Sequence, residues 1–128
     1  MVVAALVALL IVGCGSVTDA MTAASRSAAA ATSGAGLAVS LYDHSGATAS
    51  ATDTALSDAL TQLEAAQKDA VEAQPTTADE SSRRESALIA IRTATDAVVA
   101  AREALASGVQ PDPSALESAA HMLQELGR

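Results

Sequence analysis

Apolar residues recur along this chain at alternating steps of three and four residues, in four stretches separated by polar segments that contain Gly or Pro. This spacing places the apolar side chains on one face of an α-helix. The pattern predicts helices over about 17–44, 53–74, 78–107 and 113–126. Because short connections favour antiparallel neighbours, we expect an all-α, up-and-down bundle of three long amphipathic helices and one short C-terminal helix. The same spacing would also suit coiled-coil pairing between molecules.

The apolar stripes of these helices define the predicted core. The third stripe is the most regular, and Leu88, Ile89 and Val99 widen it. Gly34 and Gly36 interrupt the first stripe and predict a kink or a close helix crossing. Alanine dominates all four stripes, so the predicted core is thin. The stripes are Val17, Met21, Ala24, Ala28, Ala31, Ala35, Ala38 and Tyr42; Leu56, Ala59, Leu63, Ala66, Ala70 and Ala73; Ala87, Ile91, Ala94, Val98, Ala101 and Leu105; and Leu116, Ala119, Leu123 and Leu126.

Residues that cap helices stand at the predicted boundaries. Thr77 and Glu80 have the spacing of a capping box, in which each side chain accepts a hydrogen bond from a free amide at the start of a helix. Gly108 is placed to end the third helix in the left-handed conformation, and Val109 would supply the apolar contact that accompanies this cap. The other predicted caps are Thr52 or Asp53 for the second helix, and Asp112 with Pro113 in the first helical position for the fourth.

A different pattern occupies the start of the chain, where Met1–Val12 is apolar without interruption and Gly13 and Cys14 follow. The run is shorter than the roughly 20 residues that span a bilayer, but it has the length of the hydrophobic centre of an export signal. We therefore expect residues 1–13 to be a signal peptide that is removed. The alternative is that this segment begins a buried helix in which Cys14 is an inert apolar side chain. As the only cysteine, Cys14 has no partner for an internal disulfide.

The tetrapeptide Ile11–Cys14 resembles the lipobox of bacterial lipoproteins, in which an aliphatic residue, a small or branched residue and a small residue precede cysteine. The resemblance implies that a diacylglycerol is attached to the Cys14 sulfur by a thioether and that the chain is cleaved between Gly13 and Cys14. Residues 14–16 would then be the acylated cysteine and a short tether, and 17–128 the helical domain. Two acyl chains give stable anchoring, so the implied location is the extracytoplasmic face of the cell membrane.

The whole chain is also similar to the small, alanine-rich, helical lipoproteins of high-GC Gram-positive (actinobacterial) bacteria. The similarity rests on Ile11–Cys14 and on the third-helix segment Arg84–Val98. Many of these lipoproteins have no assigned activity, so the resemblance implies a lipid anchor and no reaction. Cys14 is the one residue whose role it transfers.

Composition supports the helical prediction and limits the classes of partner. About a quarter of the residues are Ala, with no Phe, no Trp and one Tyr, so good strand formers are scarce. The net charge is −8, and Arg83 and Arg84 are the only adjacent basic residues. Nucleic acid is therefore not an expected partner, because binding it requires a clustered basic face. The acidic excess also argues against the domain lying flat on anionic lipid, so attachment is expected from the acyl chains on Cys14.

Candidate chemical groups are few. His121 lies four residues after Glu117 and four before Glu125, so the three side chains share one helical face and are candidate metal ligands. Metal sites in helical bundles use Glu-x-x-His spacing on several helices, and we expect a solvated histidine instead. His44 is expected in the first loop, near the end of the first helix. No Ser, Thr or Cys has a recognisable base and acid partner, so we expect no catalytic residue, metal or cofactor.

Two further features are open to a structural or a binding interpretation. Tyr42 is the only aromatic residue, and we expect it to close the end of the bundle beside the first loop rather than anchor a partner. Arg83–Arg84 could meet an acidic partner, but Asp79–Glu80 lies within one helical turn. We therefore expect local ion pairs there.

These observations favour a non-enzymatic, membrane-anchored lipoprotein of the cell envelope that acts as an interaction or structural module. Another envelope protein is the candidate partner. The alternative is a carrier lipoprotein that binds a small ligand or a metal in a pocket among its small side chains. An enzyme ranks third, because no catalytic site is recognisable. The sequence predicts neither the oligomeric state nor the physiological role.

Overall fold

The computed structural model describes residues 17–128, and these form four helices packed as a bundle. The helices are α1 (Val17–Asp43), α2 (Ala49–Glu72), α3 (Ala78–Ala106) and α4 (Ser114–Leu126). The prediction of three long helices and one short C-terminal helix is confirmed. The predicted signal peptide at 1–13 and the tether at 14–16 lie outside the described residues.

Three contacts fix the directions of the helices. Arg102 near the end of α3 forms an ion pair at 2.9 Å with Asp53 near the start of α2. Arg84 near the start of α3 donates a hydrogen bond to the carbonyl oxygen of Ala73, just beyond α2. Arg26 on α1 donates one to the carbonyl oxygen of Gly127, just beyond α4. The pairs α2/α3 and α1/α4 are therefore antiparallel, as in an up-and-down bundle.

The helices are arranged around a central pair. α1 and α3 contact each other, and both α2 and α4 contact this pair, but α2 and α4 do not touch within residues 17–128. They therefore lie on opposite sides of α1 and α3. We call the end with the start of α1, the α2–α3 connection and the end of α4 the lower end, and the opposite end, with the α1–α2 loop and the α3–α4 connection, the upper end.

The core is built from alanine and a few larger side chains, as the stripes predicted. The largest apolar side chains that are fully buried are Leu56, Leu63, Ile91, Leu116, Leu123, Val39 and Val98. α1 buries a wider face than its predicted stripe because it contacts all three other helices, and Ser25, Thr32 and Gly36 are buried with its alanines. The buried Thr32 hydroxyl donates a hydrogen bond to the carbonyl oxygen of Ala28, which satisfies it within its own helix.

The predicted core includes three residues that are exposed in the structure. Ile89, Val99 and Leu126 are 53%, 38% and 37% exposed, although the stripes place them in the core. Helical periodicity gives the direction of a buried face, whereas its width depends on how many neighbours the helix has. α4 has α1 and α3 beside it and nothing among the described residues against its outer face, so Leu126 and the facing Ile89 remain accessible. Val99 lies instead in a depression between α2 and α3.

The start of α2 differs from the prediction, which placed 47–52 in a loop and the cap at Thr52 or Asp53. α2 begins four residues earlier than the predicted start, at Ala49, and its cap is Thr48, whose hydroxyl accepts a hydrogen bond from the Ala51 amide at 3.1 Å. Ser and Thr favour this position because they satisfy a free amide. Thr52 is instead a buried residue of the first turns.

The other caps follow the prediction with two differences. Thr77 accepts a hydrogen bond from the Glu80 amide, but the Glu80 carboxylate accepts from the Thr76 amide, one residue before the expected partner. Gly108 has φ +71° and ends α3 in the left-handed conformation. Val109 is 59% exposed, so the apolar contact expected of it does not form.

The start of α4 lies one residue later than predicted, because Pro113 occupies the cap position and Ser114 is the first helical residue. The Asp112 carboxylate accepts hydrogen bonds from both the amide and the hydroxyl of Ser114, at 2.9 and 2.8 Å. These bonds lower the pKa of the Asp112 carboxyl below its ordinary value of 3.8, the backbone bond contributing most. Pro113 precedes the helix and closes its first turn through its carbonyl oxygen.

Candidate functional site

The predicted lipidation site, Cys14, and the cleavage site between Gly13 and Cys14 lie outside the described residues. The structure does show where the chain that follows them enters the bundle. α1 begins at Val17 at the lower end, and Cys14 is three peptide units before it. Since consecutive α-carbons are about 3.8 Å apart, the α-carbon of Cys14 lies within about 11 Å of that of Val17. Any group carried by Cys14 is therefore close to this end.

The lower end presents a cleft in which three helices meet. Its lining comes from the first turns of α1, from Arg83 of α3 and from the end of α4. The cleft combines charges of both signs, because Glu125 and Arg128 lie on its wall and form an ion pair at 3.4 Å. The lining residues are Thr18, Met21, Thr22, Arg83, Glu125, Leu126 and Arg128.

A second and larger depression runs between α3 and α4, and we call it the α3/α4 groove. Its volume is about 590 Å³. Its large apolar lining side chains are Ile89, Met122 and Leu126, which are 53%, 44% and 37% exposed. Glu125 and Leu126 line both this groove and the lower-end cleft, so the two depressions adjoin at the end of α4. The lining residues are Ser86, Ile89, Ser118, His121, Met122, Glu125 and Leu126.

His121 stands on the exposed outer face of α4. It lines the α3/α4 groove on one side and a shallower groove between α1 and α4 on the other. Glu117 lines the second groove, whereas Glu125 lines the first and is paired with Arg128. Glu117 and Glu125 thus line different grooves, and residues 17–128 contain no cluster of three His, Cys, Asp or Glu that could hold a metal ion.

The first loop places the other candidate residues near the upper end. His44 Nδ1 lies 2.7 Å from the carbonyl oxygen of Ser40, at the end of α1 as expected. Tyr42 is half-buried beside the same loop. Gly36 is buried where α1 faces α4, and a β-carbon there would lie at an ordinary contact distance of 3.7 Å from the β-carbon of Leu116, so this packing does not require a glycine. Gly34 has open space around it.

The arginine pair behaves differently from the prediction. Arg84 donates its hydrogen bond to the carbonyl oxygen of Ala73 at 3.1 Å, which satisfies a free acceptor at the end of α2. The Glu80 carboxylate accepts hydrogen bonds from the amide and the hydroxyl of Thr76 instead. Competition from these backbone groups explains why the expected local ion pair is not the contact formed, and it leaves Arg83 in the lower-end cleft.

Sequence reasoning missed the α3/α4 groove because it assigned Ile89 and Leu126 to the core and did not use Met122. A signal was available: Met122 lies four residues before Leu126 on the same helix face. What the sequence could not supply is the position of α3 beside that face. Within residues 17–128 no helix is both long and apolar enough to cross a membrane.

The comparisons with known proteins identify no relative of this chain. No protein-family model matches the chain, and no curated protein or solved structure matches it. The function must therefore be argued from the residues and the geometry of the chain itself.

Proposed function

We propose that the protein is a membrane-anchored lipoprotein of the cell envelope, with a diacylglycerol on Cys14 and a non-enzymatic helical bundle that serves as an interaction or structural module. The observation that carries the proposal is the uncharged apolar run that ends at the only cysteine, immediately before an acidic helical bundle that starts at Val17. An apolar leader and a water-exposed acidic domain belong in different environments, and cleavage before Cys14 would separate them.

The lipid would supply the attachment. Each buried methylene contributes about 0.8 kcal/mol, so two acyl chains hold a small domain stably, whereas one is marginal. The domain itself has a net charge of −8, which disfavours adsorption to anionic lipid without an anchor. In the mature protein, the tether of residues 14–16 would keep the lower end of the bundle at the membrane.

Membrane fractionation of Cys14 variants tests this proposal. We expect wild-type protein in the membrane fraction and Cys14→Ala in the soluble fraction, with unchanged helical circular dichroism. Ser16→Ala is the matched control, because it alters the tether and keeps the thiol, and it should fractionate like wild type. Wild-type protein that is soluble and carries an unmodified Cys14 would contradict the proposal.

The second candidate function is a carrier for a small ligand. The α3/α4 groove favours it, since its volume of about 590 Å³ is within the range of small-molecule sites and its walls are mostly apolar. Isothermal titration with Zn²⁺ and Ni²⁺, repeated on His121→Ala, tests the metal form of this candidate. Heat that disappears with His121 would support a metal carrier, and silence in both titrations would remove that form.

A further inference from the structure

We propose that the α3/α4 groove is a lipid-contacting surface: when Cys14 is anchored, the bundle leans over so that Ile89, Met122 and Leu126 rest on the bilayer. This inference rests on the proposed anchoring and goes further, because it assigns one face of the domain to the membrane and the opposite face to the solvent. An upright bundle would touch the membrane only with its lower end.

The position of the groove relative to the anchor is the first argument. Leu126 lines both the groove and the lower-end cleft, whose other walls include Thr18 and Met21 in the first turns of α1. Cys14 lies within about 11 Å of Val17 by chain length alone. A lipid on Cys14 therefore brings the bilayer to the lower mouth of the groove.

The exposed side chains are the second argument. Ile89 is the twelfth residue of α3, so it lies about 16 Å along the helix axis from the lower end. It shares the groove with Met122 and Leu126, which extend it back towards that end. This row of apolar side chains therefore follows the flank of the bundle, and only a leaning domain brings all three into contact with lipid. Flexible and branched apolar side chains suit the boundary between headgroups and acyl chains.

The distribution of charge is the third argument, and it distinguishes the two flanks. The groove is lined by one carboxylate, Glu125, which is offset by Arg128 at 3.4 Å. α2 lies on the other side of the bundle from α4, and its exposed acidic residues are Asp58, Glu64, Asp69 and Glu72, with Lys68 as the one basic residue among them. Anionic lipid repels the acidic α2 flank more strongly than the groove flank. The acidic excess therefore opposes adsorption of the free domain and also orients the anchored domain.

Three partly exposed side chains make only a small contact with lipid. That contact is enough to orient the domain because the tether already holds the domain at the membrane. Once the lipid on Cys14 is inserted, contact by the groove becomes an intramolecular step with a high effective concentration. The groove does not need to recruit the protein, only to select one orientation of an anchored domain. Accordingly, Cys14→Ala protein should not bind vesicles although its groove is intact.

Methyl NMR of the lipidated full-length product on vesicles tests the orientation. The vesicles contain phosphatidylcholine and phosphatidylglycerol with a minor share of headgroup spin-labelled phosphatidylcholine. We expect relaxation enhancement to be several-fold greater at the methyl groups of Ile89 and Met122 than at Val71, which is exposed at the lower end of α2, or at Val109 of the upper end. Val71 and Val109 are 52% and 59% exposed, so accessibility is matched.

Charge substitutions provide the control. Met122→Glu should abolish the enhancement at Ile89 while the protein still floats with vesicles, and Ile89→Glu should do the same at Met122 if the first variant unfolds. Val71→Glu, at the same end on the other flank, should leave both signals unchanged. Equal enhancement on the two flanks, or no effect of Met122→Glu, would overturn this inference and leave the anchor standing. A free thiol at Cys14, or failure of the wild type to float, would overturn both.

Discussion

Arg26 and Gly127 are separated by 101 positions in the chain and are joined by a hydrogen bond of 2.8 Å from Arg26 Nε to the Gly127 carbonyl oxygen. The bond fastens the end of α4 to α1 at the lower end of the bundle. Gly127 is buried, and the side chain of Arg26 packs so closely on it that a β-carbon at Gly127 would lie 2.9 Å from Arg26 Cγ. The contact adds to the packing of Leu116 and Leu123, which holds α4, one wall of the α3/α4 groove, in the bundle.

Gly127→Ala is expected to destabilise the protein. The added β-carbon would lie 2.9 Å from Arg26 Cγ, so the Arg26 side chain, whose Nε donates the hydrogen bond to Gly127, must shift. Overpacking of this kind costs about 1–3 kcal/mol of unfolding free energy, to be measured by urea denaturation. Gly34→Ala is the control: open space surrounds it within α1, and it should stabilise by about 0.5–1 kcal/mol. Stabilisation by Gly127→Ala would show that the contact is loose.

Two isoleucines on α3 should differ sharply when they are truncated. Ile91 is fully buried and Ile89 is 53% exposed, although the two stand two positions apart. Ile91→Ala is expected to cost about 2–5 kcal/mol through lost burial and a residual cavity. Ile89→Ala should cost less than about 1 kcal/mol, because its side chain is already in water. Similar losses for both, in the same denaturation experiment, would mean that Ile89 is buried in solution.

The cap of α3 contributes measurably to stability. Thr77 accepts a hydrogen bond from the Glu80 amide at 3.1 Å, so Thr77→Ala leaves that amide without its partner. The expected loss is about 1 kcal/mol in thermal or urea unfolding. Thr54→Ala removes an exposed hydroxyl that only bonds the Ser50 carbonyl within α2, and it should change stability by less than about 0.5 kcal/mol. Equal effects would refute a specific capping role.

The contribution of Asp112 to the stability of the start of α4 depends on pH. Hydrogen bonds from the Ser114 amide and hydroxyl lower the pKa of Asp112 in the folded protein, so its contribution to stability is present above the unfolded value of 3.8 and is lost as the pH falls through the folded pKa. The stability difference between wild type and Asp112→Asn should therefore shrink on acidification below 3.8. NMR titration of the Asp112 carboxyl carbon should show a higher pKa in Ser114→Ala, and an unchanged value would contradict the assigned cause.

The helical fold follows from the sequence because apolar spacing and capping residues agree. Leu56, Leu63, Val98 and Leu116 all occupy predicted stripes and are fully buried. The predicted start of α2 was wrong because Thr48 and Thr52 are both acceptable caps. The choice between them depends on the tertiary packing that buries Thr52.

The surface of the bundle was less predictable than its core. Ile89 and Leu126 fit the helical period as well as buried residues do, and only the arrangement of α3 and α4 decides that they remain exposed. Arg84 likewise had an acidic neighbour in sequence, but a carbonyl group eleven positions away became its partner. Such outcomes depend on distances between helices, which periodicity does not encode. The prediction at Cys14 rests on the sequence alone.

The anchoring of the protein is tested most directly by the intact mass of the native molecule, extracted from the membranes of the cells that make it. We expect a chain whose first residue is Cys14, with the added mass of a diacylglyceryl group on the cysteine sulfur. A chain that still begins at Met1 and carries a free thiol at Cys14 would contradict it.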